Sequence, residues 1–365
     1  MLAHPRLKFR HNVKCTQNSL GDFMKKFVGY EKGVNFGGWL SQCKEYTDEH
    51  YKTFIVKEDF KKAAAWGIDH VRVPVDWQVF QREDGTFIES GFGYVDNAIP
   101  WAKENKLNLI LDVHKTLGYS FDAGEDKNNF FADEKLHAHF YALWEEFSKR
   151  YVKYEDMMAF ELLNEVTSPS YSDAWNKISA KAIETIRKHS KTIKILLGGY
   201  WNNSIDALKD LAAPADENVV YNFHCYDPLM FTHQGAPWVV GMPHGFRLGY
   251  PTTYKEHDDA ARSCGFPDFI SHAEDESKTY GPEYFVKKWQ AGIKVCQERG
   301  VPLYCGEYGV IDRAAPEQTL AWYKDINAAF NECGIGRAAW SYKQMDYGLS
   351  DDRMKGVIAE LVKYL

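Results

Sequence analysis

Short apolar runs recur along this chain, eight in all. They are Gly33–Gly38 (GVNFGG), His70–Val75 (HVRVPV), Leu107–His114 (LNLILDVH) and Met157–Glu165 (MMAFELLNE), then Ile193–Gly199 (IKILLGG), Val219–Tyr226 (VVYNFHCY), Pro302–Gly309 (PLYCGEYG) and Ala338–Gln344 (AAWSYKQ). Several are continuously apolar rather than alternating, as strands buried on both faces must be. Between them lie amphipathic stretches of helical period, at Asp59–Trp66, Tyr94–Asn105, Lys135–Tyr151 and Asp173–Lys188. Strand and helix repeated eight times predict a closed (β/α)₈ TIM barrel, of the α/β class. An open doubly wound sheet would want GxGxxG after its first strand, and GVNFGGW does not supply it.

At 365 residues the chain suits one such barrel with additions. Residues 1–28 precede the pattern and are expected to form an N-terminal extension with little order of its own. The stretch 227–283, rich in Gly, Pro, His and aromatics, is too long for a bare loop. It is expected to be an insertion on the barrel rim after strand six, within a catalytic domain at 29–365.

Composition removes several function classes. The net charge of −7 argues against a nucleic-acid surface. No run of 18 apolar residues marks a membrane-spanning helix. The first residues, MLAHPRLKFRHNVKCTQN, lack the apolar core of a secretory signal, so cytoplasmic use is the expectation. Seven scattered cysteines without a CxxC pair suggest neither disulfides nor a zinc knuckle. Aromatic residues reach 15%, more than a core needs, which suggests ring-shaped surfaces for a ligand.

In a barrel, working side chains sit at the C-terminal ends of strands. Those positions hold Asn35 and Trp39, Arg72, His114, Asn164 and Glu165, His224 and Tyr226, Glu307, and Trp340. Two carboxylates among polar donors and indoles suit glycoside hydrolysis, in which one acts as acid and the other stays ionised. Glu307 is the better nucleophile if Arg72 and Tyr226 reach it, since both favour the charged form. Glu165 is then the acid/base. Plainer readings stand beside these. Arg72 could simply hold an ion pair, His114 could be a core histidine, and Trp340 a core indole. Neighbours on a straight strand point to opposite faces, so Asn164 and Glu165 can act together only across a bend.

Other chemistries fit less well. No HxxxH or HExxH pair occurs, and His137 and His139, two apart on a helix, do not share a face, so no metal is expected. A Schiff base on Lys115 or Lys343 would not need two glutamates and an indole wall. No organic cofactor is implied. A non-catalytic sugar-binding barrel and a transglycosylase remain the alternatives.

The motifs GVNFGGW, HVRVPVDW, LDVH, ELLNE, NFHCY, YCGEYG and AAWSYKQMD resemble glycoside hydrolase family 5, within clan A. The resemblance runs from Lys32 to Leu365. It is nearest to a clostridial cellulase subgroup with a helical insertion after strand six. It implies a retaining endo-β-1,4-glucanase acting on soluble β-glucans, with mannan and xyloglucan as other β-glycans for the same mechanism. It also implies residue roles. Glu165 would be acid/base and Glu307 nucleophile. Asn164 would bond the sugar 2-OH, Arg72 and Tyr226 would hold Glu307, and His114 would contact a sugar hydroxyl. His224 would support Glu165, and Trp340 would be the platform of the central subsite, with a cis peptide to Ser341. Trp39 would lie near the cleft floor, and Asn35 would bind or support the substrate. Lys115 stands where many relatives have a second histidine. Trp201 and Trp238 read as further platforms or as packing residues.

Overall fold

The computed structural model describes residues 24–122 and 129–365, so most of the expected N-terminal extension lies outside the described residues. Eight strands form: β1 (Lys32–Asn35), β2 (His70–Asp76), β3 (Asn108–Lys115), β4 (Met158–Glu161), β5 (Lys194–Gly198), β6 (Val219–His224), β7 (Leu303–Tyr308) and β8 (Gly336–Ala339). All neighbours pair in parallel, and β8 returns to β1 to close a barrel.

Long helices cover the outside, at Glu89–Glu104, Glu134–Tyr151, Ser172–Arg187, Pro282–Arg299 and Pro316–Cys333. Glu134–Tyr151 shows why they form. The Asp133 side chain caps its first turn by accepting from Lys135 N, and Lys149 and Arg150 face the negative end of its dipole. Its buried stripe of Phe140, Leu143, Trp144, Phe147 and Tyr151 recurs at helical spacing.

The alternation breaks between β5 and β6. There the chain makes only a short left-handed turn and a 3-10 helix, Ile205–Asp210. The helix Pro282–Arg299 lies close over it: a Cβ on Gly292 would come within 2.3 Å of Ile205. That close approach leaves no room for a full helical layer. After β6, the segment 227–283 carries a helix at Tyr254–Ser263, capped by Thr253 and Glu256, and a small apolar cluster around Met230, Met242 and Ala261.

Inside the barrel, alternate residues of each strand point inward. The lower layer is apolar: Ile110, Ala159, Leu196, Val220, Tyr304 and Ala338, with Phe27 and Tyr30. Two residues further along three of these strands the interior turns polar, with Asp112, Glu161 and Asn222, joined by Arg72 of β2, all fully buried. Residues of opposite parity, such as Leu109, Leu111 and Val113, join the large core between sheet and helices. The six cysteines among the described residues are free thiols.

Candidate active site

The two glutamates reach the barrel mouth by different local devices. β4 stops at Glu161, four residues short of the predicted end. Leu162 and Leu163 then enter the core, Asn164 turns inward, and Glu165 takes a left-handed φ of 45°. This is the bend that strand parity demanded, and it lets both residues face the cleft. Tyr119 braces it, its hydroxyl donating to the Glu165 carbonyl (2.6 Å) and accepting from Thr167 N (2.9 Å).

Glu307 needs a different correction. Tyr304 points inward, so strict alternation would turn Gly306 inward and Glu307 outward. Register shifts flank this point in the pairings of β7 with β6 and with β8. The extra residue lets Glu307 face the interior as well. Gly306 makes this possible: a Cβ there would meet the Asn222 amide at 2.8 Å. Asn222 instead accepts from Gly306 N, and Asn35 donates to Gly306 O.

Around Glu307 the donors carry or polarise charge. Its Oε1 accepts from Arg72 (2.8 Å) and its Oε2 from the Tyr226 hydroxyl (2.8 Å). Glu165 is held more weakly, by His224 Nδ1 at 2.8 Å and Asn202 Nδ2 at 3.0 Å. Burial pushes both carboxyls up, each to about 7. Burial therefore does not separate them; what differs is the direct partners. A permanent guanidinium charge bonds Glu307 directly and favours its ionised form, while the groups hydrogen-bonded to Glu165 are neutral. Burial also pushes His224 down to about 4, so its ring is neutral near pH 7.

Beneath the pair lies a charge cluster. Arg72 bonds Glu161 through two nitrogens (2.7 and 2.8 Å), Asp112 (3.0 Å), Asn35 Oδ1 (2.9 Å) and Asn164 Oδ1 (2.8 Å). Arg72 thus serves as more than one ion-pair partner: it organises the whole mouth. Asn164 spends its oxygen on Arg72, and its buried Nδ2 has no partner, which leaves a donor for a ligand. His114 bonds Asp112 (2.6 Å) and stacks at 4° on Trp340, with ring centroids 5.6 Å apart. The Trp340–Ser341 peptide is cis.

A cleft of about 590 Å³ opens above, lined by His114, Glu165, His224, Tyr226, Glu307 and Trp340 among others. Trp201 and Trp238 both line it and remain 56% and 36% exposed. Lys115 pairs with Asp122, which also accepts from Gln42, and Gln42 and Asp122 line the same cleft. One predicted residue does not arrive. Trp39 is sequestered in the core, its indole N–H bound to Tyr51 O, because the chain after β1 turns it outward under the helix Asp48–Thr53. Asn35 lies below the cleft as a brace.

Sequence reasoning missed Asp112, Glu161 and Asn222. A signal existed for the first two: acidic residues inside apolar runs, with Asp112 two residues before His114. Asn202, Asn203 and Tyr119 carried none.

Glu165, His224 and Glu307 each bring one donor atom within 4.8 Å of the others, a spacing a small cation could use. However, Arg72 already sits on Glu307, and its fixed positive charge would repel a metal there.

The sequence model of Cellulase (glycosyl hydrolase family 5) matches residues 30–346. The chain is 41% identical over 314 residues to Cellodextrinase A of Ruminococcus flavefaciens, covering 86% of each. It is 36% identical over 341 residues to Endoglucanase C of Acetivibrio thermocellus, covering 93% of this chain and 98% of that one. Among solved structures, a hyperthermophilic endo-β-1,4-glucanase superposes with a TM-score of 0.73 at 21% identity, covering 94% of this chain and 99% of the other. The cellulose synthase subunit Z of Clostridioides difficile gives 0.71 at 23%, covering 91% and 99%. These two likenesses concern the fold. From its match over most of the barrel and its two relatives, the chain belongs to glycosyl hydrolase family 5 and is a glycoside hydrolase of the cellulase type.

Proposed function

We propose that this protein is a retaining endo-β-1,4-glucanase that cleaves soluble β-glucans, cellulose-type or mixed-linkage, by double displacement. The observation that carries the reading is the pair of glutamates. One carboxylate oxygen of each lies within 4.8 Å of one of the other's, and both flank His224 Nδ1, Glu165 Oε1 at 2.8 Å and Glu307 Oε2 at 3.6 Å. Inverting pairs stand about 6.5–9.5 Å apart to admit a water, and retaining pairs about 5–5.5 Å.

The Glu307 carboxylate attacks the anomeric carbon while the glycosidic oxygen leaves with the Glu165 proton. Water then gives a proton to Glu165, attacks the same carbon and frees Glu307. Asn164 Nδ2 donates to the sugar 2-OH. His114, oriented by Asp112, meets a hydroxyl of the same ring, and Trp340 underlies it. Trp201 and Trp238 are exposed faces on which further sugar rings can stack.

A second reading, in which short cellodextrins are preferred to polymer, is favoured by the resemblance to a cellodextrinase. Hydrolysis of carboxymethylcellulose, barley mixed-linkage glucan, xyloglucan, glucomannan and cellodextrins separates the two. Reducing ends and viscosity are followed together. A fast viscosity drop on the β-glucans is expected. Release from cellodextrins alone would replace the polymer reading, and preference for glucomannan or xyloglucan would replace the substrate.

A further inference from the structure

The connection after β5 contributes no reacting group, yet its backbone beside the cleft is unusual, as is that of Gln344, Met345 and Asp346 after β8. Trp201, Asn202 and Asn203 follow one another with φ of 50°, 56° and 57°. Left-handed backbone is disfavoured for every residue but glycine, and asparagine tolerates it best of the rest. A run of three persists only where its surroundings hold it.

Two of the three lead to the same carboxyl group. Asn202 Nδ2 donates to Glu165 Oε2 at 3.0 Å. Its backbone N–H donates to Val166 O at 3.0 Å, which ties the turn to the chain just after Glu165. Asn203 is fully buried, and its Nδ2 lies 3.3 Å from His224 Nε2. The other ring nitrogen, Nδ1, lies 2.8 Å from Glu165 Oε1. An amide N–H can only donate. A neutral ring that accepts at Nε2 must therefore carry its proton on Nδ1, facing Glu165. Each oxygen of Glu165 then receives one donor governed by this turn, one directly and one through the imidazole.

We propose that Asn202 and Asn203 are positioning residues for the acid/base. They hold the Glu165 carboxyl by both oxygens and, through the tautomer of His224, stabilise its ionised form as its proton passes to the leaving oxygen. No proton leaves His224 in this scheme. The single proton moves from Glu165 to the glycosidic oxygen and is restored by the attacking water. The inference rests on Glu165 being the acid/base.

Asn202→Gly and Asn203→Gly test it, because glycine keeps the left-handed turn at lower cost while removing each amide. kcat/KM is measured against pH on a soluble β-glucan and on an aryl β-cellobioside whose phenolate leaves without a proton. Losing a donor to the charged form raises the Glu165 pKa. The alkaline limb should move up by about one pH unit, and activity on the glucan should fall ~10-fold, far more than on the aryl substrate. A merely structural role would depress both substrates alike and leave the limb in place; that result overturns the proposal. Nitrogen-15 shifts of His224 give a second readout. Nδ1–H is expected in the unaltered enzyme, and Nε2–H would overturn the scheme. Glu165→Ala is the control. Equal losses on both substrates there would sink the acid/base assignment itself. A differential loss there with unaffected asparagine variants would sink only this inference.

Discussion

The barrel interior has two layers, built by the same strands two residues apart, and they do opposite things. Ile110, Ala159, Leu196, Val220, Tyr304 and Ala338 fill the lower layer with apolar volume. Asp112, Glu161 and Asn222, the next inward positions on three of those strands, join Arg72 in a cluster of buried charge. Burying apolar volume favours folding, whereas burying charge opposes it unless every partner is in place. The upper layer therefore serves orientation rather than stability. Glu161 and Asp112 hold Arg72, and Arg72 holds Glu307 and Asn164.

Four measurements test that division of labour. Glu307→Gln should lower turnover by about 10⁴-fold while the thermal midpoint changes little. Near-native rates would remove Glu307 from the chemistry. Arg72→Met should abolish measurable turnover and also destabilise the fold by about 3–5 kcal/mol, since it strands Glu161 and Asp112 without a cation. A variant as stable as the parent would mean that the cluster does not depend on its centre. In the lower layer, Leu196→Ala should cost about 2–5 kcal/mol by leaving a cavity, yet leave kcat per folded molecule close to the parent's. A large loss of kcat would show that the layers are coupled.

The smallest effect is in the pH dependence of stability. Burial pushes Asp112 up to about 7 and Asp76 up to about 6. A carboxyl raised in the folded state binds more protons there than in the unfolded chain. Its contribution is full below the ordinary carboxylate range, near pH 4, and is lost as pH rises through 6 to 7. The melting temperature should therefore drift down between pH 5 and pH 8, and Asp112→Asn should flatten part of that slope. An unchanged slope in Asp112→Asn would locate the pH dependence elsewhere.

Much of this arrangement was legible in the chain. Short apolar runs such as LNLILDVH, too brief for a core helix, read as strands covered on both faces, because water would otherwise meet leucine on one side. Polar residues ending such runs had to lie at the mouth, and Arg72, His114, Asn164, Glu165, His224, Tyr226, Glu307 and Trp340 do meet there. Trp39 misled because a residue just beyond a strand is free to turn either way. Asp112 and Glu161 sat in plain view inside two motifs, but which carboxylates share one arginine depends on which strands become neighbours.

Strand number and the placing of two glutamates at strand ends were thus legible in local pattern, since burial on both faces and acidic strand ends are written residue by residue. What only the tertiary structure decided are the exceptions to strand alternation. These are the left-handed step at Glu165, the irregular β7 that turns Glu307 inward, and the turn that carries Asn202 and Asn203 onto the carboxyl. Each is disfavoured or ambiguous for its own short segment. It is held in place by partners far along the chain, whose contacts exist only once the barrel has closed.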